Sequence, residues 1–320
     1  MHGSGKGSRK IGMFADSVFM LRPDHFGFNA ETATSNEFQN RTNADPSQVD
    51  KEFLSVVEAL AGSGIRVDVL PDDQIAINPD ALFLNNWFST HRDGTLVIYP
   101  MHSRSRQREV RQDLIAYFQE MYEISSVADL REVADGSALE GTGSMVFDRA
   151  NGSAFLTPSV RSTVALGLAV TKDLGFHLVP LKALSQSGQP LYHTNVVIAV
   201  GSGFLLACPQ SLENPGILEE YCSRMGLEWI KLSPDQLESS FAANGLQLVN
   251  QKGDPVFVMS AAARKSLSDD QVARLEKHTS IVSAGIPLIE KVGGGSIRCM
   301  LAECFWKARR VAESVESSIE

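Results

Sequence analysis

A turn, a short β-rich strand and a closing proline recur along this chain at intervals of about 50 to 60 residues, a period that belongs to chains assembled from repeated supersecondary units. Asp93-Gly94 leads into Thr95 to Pro100, Asn151-Gly152 into Ser153 to Pro158, and Gly201-Ser202-Gly203 into Phe204 to Pro209. Gly253 to Ser260 is a weaker fourth copy, and Val18 to Leu21, stopped by Arg22-Pro23, supplies a strand near the start. Between copies the pattern turns helical and then extended: Glu52 to Ala61 before Gly64 to Pro71, Val160 to Lys172 before Gly175 to Pro180, and Gly216 to Met225 before Leu227 to Leu232. Each unit therefore reads as a hairpin, a helix and a returning strand, and a small hairpin of this kind needs a neighbour to bury a face. If the first strand opens a unit split between the two termini, about five units fit the length. An α/β fold follows, with a closed ring of pseudo-symmetric ββαβ units as the leading expectation and two ordinary α/β lobes as its competitor.

The rest of the composition narrows the partners. A chain of 320 residues that is 43% hydrophobic and 21% charged has the apolar content to bury a sizeable core. Its net charge of -9 gives no general attraction to phosphate backbones or anionic lipid, so neither nucleic acid nor membrane is an expected partner. No apolar run is long enough to span a bilayer, and no secretory leader pattern opens the chain, which makes a cytoplasmic location the expectation. Residues 1–10, with their Gly, Ser and His content, read as an expression tag, residues 11–310 as one catalytic domain, and residues 311–320 as a C-terminal tail. A homo-oligomer is compatible with all of this. Cys208, Cys222, Cys299 and Cys304 form no Cys-x-x-Cys pair and no zinc spacing, so each is either core filler or a nucleophile.

Four segments carry residues suited to chemistry. In Gly293-Gly294-Gly295-Ser296-Ile297-Arg298-Cys299-Met300, three glycines let a backbone approach a ligand closely and offer N–H groups to an anionic intermediate; Arg298, or a base across the pocket, favours the thiolate of Cys299. The same segment is equally readable as a turn with a buried cysteine. Tyr192-His193-Thr194-Asn195 lies before an apolar strand, where a period of two would point His193 and Asn195 to one side; a histidine suits proton transfer near neutral pH, though a lone histidine near a strand is more often structural. Glu140 stands in Leu139-Glu140-Gly141-Thr142-Gly143, either lining a cavity or facing water. Asn85 and Asn86, expected after an apolar strand and before Trp87, are unusual polar cargo in a segment that should be buried; they recognise a ligand amide or form a turn.

Taken in order, these segments resemble the pentein superfamily, which includes arginine deiminases, dimethylarginine hydrolases and amidinotransferases; the resemblance runs from about residue 12 to residue 308. It implies a five-bladed α/β propeller with a central Cys, His and acid. Gly-Gly-Gly-x-x-Arg-Cys-Met resembles the nucleophile loop and assigns Cys299 as the attacking thiolate, with His193 as acid and base and Glu140 as the carboxylate partner. Asn85-Asn86-Trp87-Phe88 and the stretch from Arg22-Pro23 to Gln39 look like the arginine-deiminase-related citrulline-utilization hydrolase branch.

Two departures bear on the substrate. Deiminases carry aspartates at the positions of Asn86 and Asn195, and those carboxylates clamp a guanidinium. A cation taken out of water here would lose two charge-assisted partners, each worth about 1.5 to 3 kcal/mol. A neutral ureido group suits an amide that both donates and accepts. The expectation is a hydrolase of a C–N bond in a citrulline-like or arginine-like small molecule, acting through a covalent cysteine adduct, with Asn86, Asn195 and Asn85 on the reacting group and Arg22 or Arg298 on a carboxylate. No metal or organic cofactor is expected. An amidinotransferase and a non-catalytic binding module are the alternatives.

Overall fold

The computed structural model of the protein describes residues 13–72 and 78–309, so the expected tag and tail lie outside the described residues. Strands form five three-stranded sheets of one design, each with a central strand paired antiparallel on one side and parallel on the other. The first sheet has β1 (Ser17–Leu21) at its centre and β2 (Arg66–Leu70) beside it. The second holds β3 (Phe88–Thr90), β4 (Thr95–Ile98) and β5 (Ser126–Asp129); the third β6 (Met145–Asp148), β7 (Ser153–Leu156) and β8 (His177–Pro180). The fourth holds β9 (Ile198–Gly201), β10 (Phe204–Ala207) and β11 (Glu228–Lys231); the fifth β12 (Leu246–Val249), β13 (Pro255–Ser260) and β14 (Ser280–Ala284). The antiparallel partner of β1 is β15 (Ala302–Cys304), with Ser17 opposite Cys304, so one unit is built from both ends of the chain as the repeat count requires.

The recurring apolar strands of the sequence are the central ones. β1, β7 and β10 are buried on both faces, which is why they read as continuous apolar runs and not as alternation. Each parallel pairing needs a crossover, supplied by α1 (Pro46–Gly62), α2 (Gln112–Met121), α3 (Val164–Asp173), α4 (Gly216–Met225) and α5 (Asp269–Glu276). α1 begins earlier than its apolar spacing suggests, because Asp45 caps the Ser47 N–H and Pro46 occupies the first helical position; Val49, Phe53, Val56 and Leu60 form its buried stripe. Five three-stranded sheets of one design exclude the competing expectation of two ordinary α/β lobes. No helix among the described residues is long and apolar enough to cross a membrane.

No sheet has a core to itself. One apolar cluster joins Phe19 and Leu21 of β1 to Phe88, Leu96 and Ile98; another joins Val97 and Tyr99 to Met145 and Ala154. Phe155 packs with the β9–β10 hairpin and with Phe257 and Met259, while Val256 and Val258 share a cluster with Val18 and Met20. A polar contact stitches the split unit to its neighbour: buried Thr90 Oγ1 donates to the Glu303 carbonyl at 2.6 Å and accepts from the Phe305 N–H at 3.0 Å. Thr90→Val is expected to leave both backbone groups unpaired and to lower unfolding stability by about 1 to 3 kcal/mol, read as a fall in the urea midpoint at unchanged slope.

Candidate active site

One kind of position supplies the site. Leu84–Asn86 and Thr194–Val196 are single 3₁₀ turns, Gly141–Ser144 and Ile297–Met300 single α-turns, and each leads directly into the first strand of its unit. A turn ending at Asn244, two residues before β12, does the same in the fifth unit. Asn86, His193 and Cys299 line one small cavity, and Arg106, Arg161 and Asp80 share its wall. Glu140 lies behind His193, fully buried.

Glu140 is the electrostatic centre. Its Oε2 is 2.8 Å from His193 Nε2, 3.7 Å from Arg161 and 3.8 Å from Arg106, and its Oε1 accepts the His102 N–H at 3.0 Å. Burial alone would raise its pKa, but Arg161, the His193 hydrogen bond and Arg106 reverse this and hold it well below the usual carboxylate range. An ionised Glu140 can only accept, so His193 carries its proton on Nε2 and leaves Nδ1 as the free base. Burial dominates His193 and, against the pull of Glu140, lowers its pKa to about 4, which makes the resting imidazole neutral. Gly143 keeps this face open: a Cβ there would stand 2.8 Å from His193 Nδ1 and 3.0 Å from Asn86 Nδ2.

Cys299 Sγ is 3.4 Å from both Asn195 Nδ2 and Asn244 Nδ2. The glycines before it serve a closer purpose than the expected anion cradle. Gly294, at φ +60°, ends the preceding helix with its N–H on the Glu290 carbonyl, and a Cβ there would stand 2.6 Å from Gln39 N. It is the carbonyls of this loop that face the site wall, taking hydrogen bonds from Gln39, Asn36 and Tyr192. The segment Thr32 to Gln39 thus lies over the cavity, held also by Thr32 on Asp80 at 2.7 Å and by Arg161 on Ser35. Among the described residues no cluster of His, Cys, Asp and Glu could hold a metal ion.

Several sequence expectations need correction. His193 and Asn195 do not share a strand face: a 3₁₀ turn advances about 120° per residue, so His193 goes to Glu140 while Asn195 goes to Cys299. Asn85 and Asn86 precede a strand instead of following one. Asn85 is outside the cavity wall, with its Nδ2 on Thr142 Oγ1 at 3.1 Å. Arg22 is also elsewhere, pairing with Asp50 at 2.8 Å and Asp24 at 3.3 Å over the Phe53 ring. Arg298 is buried, donating to the Leu301 carbonyl at 2.8 Å and to Glu303 at 3.3 Å, so neither arginine is placed to meet a substrate carboxylate. The cationic wall is Arg106, doubly bonded to Glu109 at 2.9 Å, and Arg161, stacked 4.8 Å from the Tyr192 ring centre. Arg106 sits in a run of surface-like basic residues and carried no sequence signal. Asn244 had one: like Asn86, it stands two residues before the first strand of its unit.

Five sheets of this strand order, with Cys, His and Glu brought to one place, are the features expected of a pentein, and comparison with known proteins agrees. Residues 22–306 match the family model described as N,N dimethylarginine dimethylhydrolase, eukaryotic, and the chain belongs to that family, within the pentein hydrolases of amidino C–N bonds. No curated protein matches the sequence. The fold is similar to the N-terminal domain of ArgZ, an arginine dihydrolase from the ornithine-ammonia cycle in cyanobacteria, solved bound to substrate, at 18% identity over 90% of this chain and 97% of that one with a TM-score of 0.71. It is also similar to AgrE in complex with ornithine and NAD+, at 16% identity and a TM-score of 0.71 over 92% of this chain and 40% of that one. A DDAH from Pseudomonas aeruginosa complexed with citrulline matches at 14% identity and a TM-score of 0.66, over 91% of this chain and all of that one.

The neutral His193 has a thermodynamic signature. Its unfolded form takes up a proton near pH 6.5 and its folded form only near 4, so the stability it contributes is fully present above 6.5 and is lost as pH falls through that window. His193→Gln is expected to flatten the fall in unfolding free energy between these values by up to about 1 kcal/mol per pH unit, measured by urea titration of both proteins across the range.

Proposed function

We propose that the protein is a cysteine-dependent hydrolase of the ureido or amidino end of a small amino acid, with Cys299 as nucleophile, His193 as acid and base, Glu140 orienting His193, and a citrulline-like ureido group as the preferred target. The observation that carries the substrate reading is a buried amide oxygen without a hydrogen-bond partner on the cavity wall, Asn86 Oδ1; Asn195 Oδ1 is unpartnered too, on the amide whose Nδ2 meets the thiol, but Asn195 is not part of that wall. A buried acceptor without a partner is costly unless a ligand N–H completes it. Asn86 is neutral, so it completes a ureido N–H without the charge a guanidinium calls for. Arg106 and Arg161 supply the positive wall for a carboxylate in place of Arg22 and Arg298, and buried Asp80 the negative wall for an ammonium.

In the proposed sequence the Cys299 thiol gives its proton to His193 Nδ1 and the thiolate attacks the ureido carbon. The C–N bond to the terminal nitrogen breaks as His193 returns that proton to it, releasing ammonia and leaving a carbamoyl thioester on sulfur. Water then loses a proton to His193 and attacks the same carbon. The C–S bond breaks, the thiol regains its proton, and the released carbamate decomposes to carbon dioxide and an amine. Glu140, ionised and 2.8 Å away, stabilises each transient imidazolium. Shared cores between every pair of successive sheets, the fifth with the first included, support closure of the five units into a single propeller domain with the site on its axis.

Release of ammonia from arginine, citrulline and agmatine, and of methylamine or dimethylamine from methylated arginines, tests this reading. Cys299→Ala is expected to abolish turnover, and citrulline to outpace arginine; full activity in Cys299→Ala overturns the nucleophile, and faster arginine turnover overturns the ureido preference. The similarity to an arginine dihydrolase makes arginine the competing substrate. Asn86→Asp restores the carboxylate and should move the arginine-to-citrulline ratio of kcat/KM toward arginine by about 10-fold or more, the equivalent of one charged hydrogen bond.

A further inference from the structure

We infer that Asn244 holds the Cys299 thiolate, so that the reactive form of the nucleophile depends on a pinned carboxamide in the fifth unit. The inference rests on the reading of Cys299 as nucleophile and is independent of the substrate. Both ends of the Asn244 amide are fixed by backbone groups: Oδ1 accepts the Arg298 N–H at 3.1 Å, and Nδ2 donates to the Asn195 carbonyl at 2.9 Å. Neither contact survives exchange of oxygen and nitrogen, so the second Nδ2 hydrogen is left to point at Sγ, 3.4 Å away. The reverse contact, with the thiol donating to Oδ1, is longer at 3.7 Å. A sulfur that accepts is better suited by charge than a thiol that donates.

The charges around the sulfur assign the same role. His193 is neutral at rest and is engaged with Glu140 through Nε2, so no imidazolium is standing by to pair with the thiolate. In and behind the cavity wall Asp80 and Glu140 oppose a negative sulfur while Arg106 and Arg161 favour it, and the two guanidinium groups are engaged by Glu109, Glu140, Thr32 and Ser35. Arg298, directly before Cys299 in the chain, is buried with its guanidinium on Glu303 and the Leu301 carbonyl, and it contributes field without contact. The groups that touch Sγ as donors are two carboxamides, and Asn195 is the less constrained of them, since its own Oδ1 has no partner. Asn244 therefore does two things with one amide. It ties the nucleophile turn to the turn bearing Asn195, and it offers the sulfur a hydrogen bond that is already oriented before any ligand enters.

The test reads Cys299 itself and not turnover. Iodoacetamide labelling of Cys299 in the full chain, followed by peptide mass spectrometry across neutral and alkaline pH, reports the thiolate. In Asn244→Asp and Asn244→Ala the half-maximal pH of labelling should rise by about one unit and labelling at neutral pH should slow by about ten-fold. Profiles that superimpose on the parent, with only a lower Tm, overturn the inference and leave Asn244 as a structural tie. Should neither variant fold, the parent decides: the Asn244 side-chain NH₂ resonances must titrate with the midpoint of Cys299 labelling, and resonances indifferent to that midpoint overturn it. Failure of the hydrolase reading is separable, because it shows as turnover by Cys299→Ala and leaves these profiles untouched.

Discussion

A carboxylate with no access to water organises the middle of this molecule. Glu140 is affordable there only because two guanidinium groups and an imidazole surround it, and those partners come from different places. Arg106 and His102 follow β4 of the second sheet, Arg161 follows β7 of the third, and His193 precedes β9 of the fourth. Arg161 also holds Thr32 and Ser35 of the covering segment. One charge thereby sets the tautomer of His193, the spacing of three units and the seat of the cover. Removing it would leave the buried Arg161 guanidinium without its ion-pair partner, while Arg106 would keep Glu109, a larger disturbance than the loss of a single neutral contact.

The parts of this arrangement that were readable in sequence share a cause. Central strands buried on both faces must be apolar throughout, so four copies and the opening strand stood out at a regular period, and the strand left over at the start implied a partner at the end. The Gly-rich segment before Cys299, the Glu140 segment and His193 were visible because their motifs match a family pattern in order. The geometry inside the turns was not. Residues of a single helical turn carry no period of their own, so the divergence of His193 and Asn195 could not be inferred from alternation, and Arg298 looked like a ligand because it adjoins the cysteine when its side chain in fact turns to Glu303.

Residues that become functional only through long-range contact left little trace. Arg106 and Arg161 are ordinary loop arginines until Glu140 is placed between them, and Asp80 is one acid among many until Thr32 and Asn29 fix it under the cover. Asn244 precedes Gly245, a pairing that signals a turn whether or not a sulfur lies nearby. The repeat is what makes it recoverable: equivalent turns deliver equivalent side chains to one place, so a polar residue just before an inner strand in one unit directs attention to its counterpart in the next.

The pairing of β1 with β15 also orders events in time. Ser17 and Cys304 are 287 residues apart, and the turn that bears Cys299 directly precedes β15. A ribosome finishes α1 through β14 before the strand that completes the first sheet exists. The growing chain can assemble histidine, carboxylate and covering segment while lacking the Cys299 sulfur, and the closing strand brings that sulfur in. Loop closure over such a span is slow compared with local hairpin formation. Completion of the fold and delivery of the Cys299 sulfur to the cavity are then one step.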